Sequence, residues 1–218
     1  MHSTPLKFLV ARVIAVVLGT PVMGMADTIH THPDGYQVVP TQNSPGTANF
    51  RAKVDRDAGT IEYELSWKNL KGDILQSHIH FGRRTTNGDI VVFLCTNLGN
   101  TPASATPAPL CFDPDKGDDP RNGMVHSLIH AGDIVALPFG TGDPVPIVKP
   151  GDQLLPFADF EELADAIDAG ATYIVVHTKA QLSGELRGQI PGKDEDRDKD
   201  RDKDRDRDRD KDKHDGQD

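Results

Sequence analysis

The sequence predicts an all-β fold: an antiparallel Greek-key sandwich or barrel with one short helix and a disordered C-terminal tail. Three observations predict it. Short runs of alternating apolar and polar residues recur between Gly- and Asp-rich turns, as half-buried strands require. Only one segment carries the 3.6-residue period of an amphipathic helix. From Lys193 onward the chain becomes a nearly strict alternation of Asp with Lys or Arg.

Residues 48–54 alternate small or apolar side chains with polar ones, and residues 60–67 place Ile61, Tyr63, Leu65 and Trp67 on one face. The Asp- and Gly-rich turn at 55–59 joins them as a hairpin. Residues 74–81 form a third strand and 90–94 a fourth, separated by the turn signal Thr86-Asn87-Gly88-Asp89. Residues 96–122, heavy in Pro, Gly and Asp, read as loop, followed by short strands at 124–129 and 134–137. Asp159 caps a helix with Glu162 three residues on, and Phe160, Leu163, Ala164 and Ile167 supply its apolar stripe. Gly170 stops that helix, and residues 173–178 and 185–190 are the closing strands.

Residues 1–26 read as a secretory signal peptide. Lys7 precedes a largely apolar run from Phe8 to Leu18, and small residues stand at Gly24 and Ala26. That run is interrupted by Arg12, and an uncleaved anchor is the alternative reading. The remainder divides into a polar lead-in at 27–47, one folded domain at 48–190 and a tail at 191–218. The tail has ten basic and thirteen acidic residues from Lys193, so no core can form there. It reads as a solubilising spacer; weak Ca²⁺ binding is the alternative. Export suits the two cysteines. Cys95 and Cys111 pair by default outside a reducing cytosol, and closing their loop is worth about 3 kcal/mol. The net charge of −10 argues against a nucleic-acid partner.

The candidate chemistry lies in His78-Ile79-His80, whose imidazoles share one face of a strand, and in His177 on a distant strand. Three convergent imidazoles are a copper or zinc ligand set; they are equally a polar seam of hydrogen-bonded side chains in a β-barrel. Glu185 and Arg187 share a face of the last strand and read as a structural ion pair. His30 and His32 sit in the polar lead-in, while His126 and His130 are four apart on a segment read as a strand. No GxSxG, HExxH, phosphate-cradling Gly loop or dinucleotide fingerprint is present, so no catalytic residue is assigned.

The order Gly46-Thr47-Ala48-Asn49-Phe50, Gly59-Thr60-Ile61-Glu62-Tyr63, His78-Ile79-His80, Tyr173-Ile174-Val175-Val176-His177-Thr178 and Gly184-Glu185-Leu186-Arg187-Gly188-Gln189-Ile190 resembles the CHRD domain over roughly residues 39–190. Val175 departs from the Asn usual before Val-His-Thr in that family, and the Cys95–Cys111 loop has the look of an insertion. The resemblance implies an extracellular β domain without established catalysis, a binding or structural module. A second, local likeness is to copper/zinc superoxide dismutases. His78-Ile79-His80-Phe81-Gly82 is similar to their paired copper histidines, and Val175-Val176-His177 to a strand supplying another. That likeness implies copper at His78, His80 and His177 in a periplasmic redox protein. The bridging histidine and zinc-loop ligands have no match, the dismutase arginine would fall near Gly184, and Arg187 stands where a cysteine does. The expected protein is therefore secreted or periplasmic, binds an extracellular protein or surface ligand, and inserts in no membrane after signal cleavage.

Overall fold

A computed structural model describes residues 27–102, 105–135 and 159–193. Among these residues eight strands and one α-helix follow in order: β1 (Asp27–Thr31), β2 (Thr47–Asp55), β3 (Thr60–Lys68), β4 (Ile74–Phe81), β5 (Ile90–Thr96), β6 (Gly123–His130), α1 (Phe160–Asp168), β7 (Thr172–Thr178) and β8 (Gln181–Gln189). They make two four-stranded antiparallel sheets, β1-β2-β3-β6 and β5-β4-β7-β8. Of sandwich and barrel, the sandwich is formed.

Alternation along β2 and β3 decides which face turns inward. Ala48, Phe50, Ala52 and Val54 meet Ile61, Tyr63, Leu65 and Trp67 across the hairpin, all buried. The second sheet answers with Ile79, Val92, Leu94, Ile174, Val176 and Leu186. The buried Tyr63 hydroxyl bonds the Leu94 carbonyl, tying the two sheets across the core. Fully burying each such apolar side chain contributes roughly 1.5–3 kcal/mol.

The helix forms where its stripe and cap place it. Asp159 accepts from the Glu162 N–H, and Phe160, Leu163, Ala164 and Ile167 join the core. Its outer face carries Glu161, Asp165 and Asp168, all bonded by Arg56 from the β2–β3 turn at 2.7–2.8 Å. Carboxylates late in a helix oppose its dipole, and the guanidinium, aided by Lys193 on Asp168, offsets that.

Three expectations are amended. The lead-in is structured: β1 pairs with β2 along its length, because Ile29 reaches the core, and residues 33–44 pass over the second sheet. The strand expected at 134–137 is an isolated bridge, Ile134 with Val92, and residues 136–137 lie outside the described residues. The signal segment and the tail beyond Lys193 also lie outside them.

Cys95 and Cys111 are joined, their Cα atoms 4.9 Å apart. The loop they close is also clamped by Asn97, which accepts from the backbone N–H groups of Cys111 and Phe112 and donates to the Phe112 carbonyl. Replacing both cysteines by alanine is expected to lower unfolding free energy by about 2–4 kcal/mol in urea titration. An unchanged midpoint would mean that the Asn97 clamp alone holds the loop.

Candidate metal centre

The three histidines arise on one face because of strand parity and register. His78 and His80 flank inward-facing Ile79 on β4, so their side chains turn to the outer face of the second sheet. On neighbouring β7, His177 lies opposite Gln76, Val175 opposite His78 and Tyr173 opposite His80. The register therefore brings His177 beside the pair across one strand spacing. Their ring centroids are 5.0 Å (His78–His177), 5.6 Å (His78–His80) and 6.0 Å (His80–His177) apart.

This outer face is not open to water. Residues 33–44 leave β1, cross the inner side of β8 at Gly188 and pair with Arg187 through a two-way backbone bridge at Asp34. A Cβ at Gly188 would lie 2.8 Å from the Pro33 ring, so the crossing needs glycine. Val38 and Val39 then lie over the histidine face together with Asn87 and Gly88 of the β4–β5 loop, the Asn87 amide donating to the Val39 carbonyl. His78 is 0 % exposed, and His80 and His177 are 9 % exposed.

Outer partners fix the rings. His80 Nδ1 is 2.9 Å from the Gly88 carbonyl and His177 Nδ1 is 2.9 Å from the Leu182 carbonyl. A carbonyl only accepts, so both Nδ1 atoms carry the proton and both Nε2 atoms present lone pairs. Leu182 reaches His177 because the β7–β8 ladder is irregular after Val176. Gly184 sits in that irregularity at φ +120°, where a Cβ would stand 2.7 Å from Val175 Cγ1. His80 also stacks on Tyr173, and His78 meets Phe93 edge-on at 4.4 Å.

What remains is a set of buried ring nitrogens without partners: both of His78, and Nε2 of His80 and of His177. Each unsatisfied buried polar atom costs roughly 1–3 kcal/mol. One nitrogen from each ring lies within 4.8 Å of the others. Metal–nitrogen bonds of about 2.0–2.1 Å need a spacing of roughly 3.5 Å, about an ångström of closure. Carbonyls on the far nitrogens are the orienting partners that metal-bound imidazoles have. A cavity of about 170 Å³, lined by Val38, His80, Tyr173, His177, Ser183 and Arg187, gives two of the rings an approach from outside.

The expected Glu185–Arg187 ion pair is not formed, although both residues are buried. Glu185 accepts instead from Ser44 Oγ (2.5 Å), Lys71 N (2.6 Å), Gly72 N (3.3 Å) and Thr178 Oγ1 (2.7 Å). Neutral donors converging on one carboxylate satisfy it without a cation. Arg187 donates to the Arg83 carbonyl at 2.9 Å and lies 3.7 Å over the Tyr173 ring. Tyr173 and Phe93 were missed as neighbours of the histidines; the even spacing of Tyr173 from His177 was the signal for the first. The other histidines stay apart: His32 bonds Asn49, His126 bonds Glu62, and His130 lies 3.6 Å from Asp133.

The family model of the CHRD domain matches residues 30–190 of the chain. No curated protein and no solved structure matches it. Among the described residues no helix is long and apolar enough to cross a membrane.

Burial holds the pKa of His78 well below the ordinary imidazole value, the neighbouring His177 and His80 adding to this. Burial also brings His80 down to about 4 and lowers His177. The unfolded chain binds these protons near pH 6.5 and the folded one does not. Stability of the metal-free protein is therefore complete above about pH 6.5 and falls as pH drops toward about 4, by up to roughly 1.4 kcal/mol per unit per imidazole. Urea midpoints between pH 8 and 5 test this, with a shallower slope expected for His80→Phe; a flat profile would contradict neutral burial.

Proposed function

From the premise that the chain belongs to the CHRD domain family, we propose that it is an exported binding module, secreted or periplasmic, whose outer β face holds one copper ion at His78, His80 and His177. The observation that supports this most is the group of unpartnered ring nitrogens facing one another in a buried place. Lone pairs of neutral imidazoles repel at that distance, and a cation converts the repulsion into coordination. An all-imidazole set suits copper or zinc, and the general affinity order puts Cu²⁺ above Zn²⁺. The disulfide fits an oxidising compartment, as does the signal-like sequence of residues 1–26. The charge balance disfavours nucleic acid, and the partner in a wider assembly is an extracellular protein or surface ligand.

A redox role is the second reading, favoured by the cavity that reaches His80 and His177. Its test is superoxide turnover by the copper-loaded protein; no turnover leaves the module as a carrier.

Titrating Cu²⁺ into the full chain is expected to show one tight site with nitrogen hyperfine coupling in its paramagnetic resonance spectrum. His78→Ala and His80→Ala, checked as folded by circular dichroism, are each expected to weaken it more than about 100-fold. That exceeds the roughly 10–100-fold that loss of an outer hydrogen-bond partner costs. Binding unchanged by either substitution would overturn the reading and assign the copper to other groups of the chain.

A further inference from the structure

We propose that Arg187, with Arg84, forms a binding site for a small tetrahedral oxyanion of the phosphate or sulfate type, in the cavity beneath residues 36–41. The cavity measures about 210 Å³ and is lined by Tyr36, Val38, Thr41, Arg84, Thr85 and Arg187 among others. The site does not depend on a metal, although Arg187 also lines the cavity beside His80 and His177.

Among the described residues, Arg187 is a buried cation without an anion. It is 2 % exposed, and its Nη1 is buried with no hydrogen-bond partner. Buried charges are ordinarily paired, because desolvating an ion costs several kcal/mol. The carboxylates nearest in sequence are engaged elsewhere. Glu185 takes the donors of Ser44, Lys71, Gly72 and Thr178. Asp34, its backbone partner, accepts from the N–H groups of Tyr36 and Gln37 and from the Gln37 amide. The carbonyl that Arg187 does bond, that of Arg83, also accepts from Thr86 N and Thr86 Oγ1.

The charge environment adds to the case. Burial lowers the Arg187 pKa, the Tyr173 side chain opposes this, and the cation of Arg84 lowers it further. Two arginines close enough for their charges to repel, both lining one cavity, attract a shared anion there; planar N–H forks match oxyanion geometry. Thr85, on the same wall, is held at φ +64°, a conformation that β-branched residues rarely adopt. The hydroxyl of Thr85 is a further donor within the lining.

The test is phosphate titration of the full chain after exhaustive chelation of metals, at constant ionic strength balanced with sodium chloride. Thermal unfolding is expected to rise saturably with phosphate, as a ligand of the folded state alone requires. Amide NMR shifts should move together in residues 36–39, 41, 84–85 and 187. Arg187→Gln is expected to abolish the response and Arg84→Gln to weaken it about tenfold or more, while His126→Ala, on the other sheet, leaves it unchanged. Phenyl phosphate binding as tightly as inorganic phosphate would assign the site to an ester group on a larger ligand; binding of the free ion alone would assign it to that ion. No saturable shift in the wild-type chain, or shifts scattered over its surface, would overturn the proposal, and the wild-type result stands even where Arg187→Gln does not fold. Loss of the response in His126→Ala with Arg84→Gln silent would overturn the placement. Because copper is absent throughout, failure here leaves the metal reading untouched, and failure of the metal reading leaves this one untouched.

Discussion

Burial of both faces of the second sheet is the constraint on which the rest of the structure depends. Its inner face is apolar and meets the first sheet across the core. Its outer face carries His78, His80, His177, Tyr173, Arg187 and Gln189, all nearly without solvent. Residues 33–44 and the β4–β5 loop hold it shut. The Glu185 carboxylate fastens that covering segment at Ser44 and, through Lys71 and Gly72, the β3–β4 connection as well. Replacing it would leave backbone donors and the Thr178 hydroxyl without an acceptor in a dry place, the costly kind of loss.

The chemistry of the outer face follows from that covering. In water, three neighbouring imidazoles would hydrate and titrate independently. Under Val38 and Val39 they are neutral, two of them with their N–H groups committed to the Gly88 and Leu182 carbonyls and their lone pairs left facing inward. Tyr173 couples this group to the guanidinium beyond it, taking His80 stacked on its ring and Arg187 over it. A cluster of neutral imidazoles and a buried guanidinium therefore sit side by side on one surface. Both are pre-arranged by backbone carbonyls and by an aromatic ring, groups whose positions the sheet fixes.

Strand parity made much of this legible beforehand. The hairpin of β2 and β3, the helix with its Asp159 cap and four-residue stripe, and the shared face of His78 and His80 follow from side-chain periods of 2 and 3.6, which are local properties. The union of those two with His177 followed from the resemblance of two short motifs, and the β4–β7 register supports it. Parity also put Glu185 and Arg187 on one face, yet they do not pair, because parity fixes direction and says nothing of partners. Their partners, the Ser44 hydroxyl, the amides of Lys71 and Gly72, the Arg83 carbonyl and the Tyr173 ring, come from four other segments.

The sequence by itself determined the fold class, most element positions, the cysteine pair and the shared face of His78 and His80, since each is written in composition or in spacing along the chain. Only the tertiary structure decided that residues 27–44 belong to the domain and cover its second sheet. Their pattern is polar and short, and their place comes from the β1–β2 ladder and the Asp34 bridge to β8, with Ile29 and Val38 as the few apolar side chains they bury. The same covering decided that Arg187 is a buried cation without a carboxylate among the described residues. That is a matter of what water is excluded from, which depends on every segment that packs above a residue and on none of its neighbours in the chain.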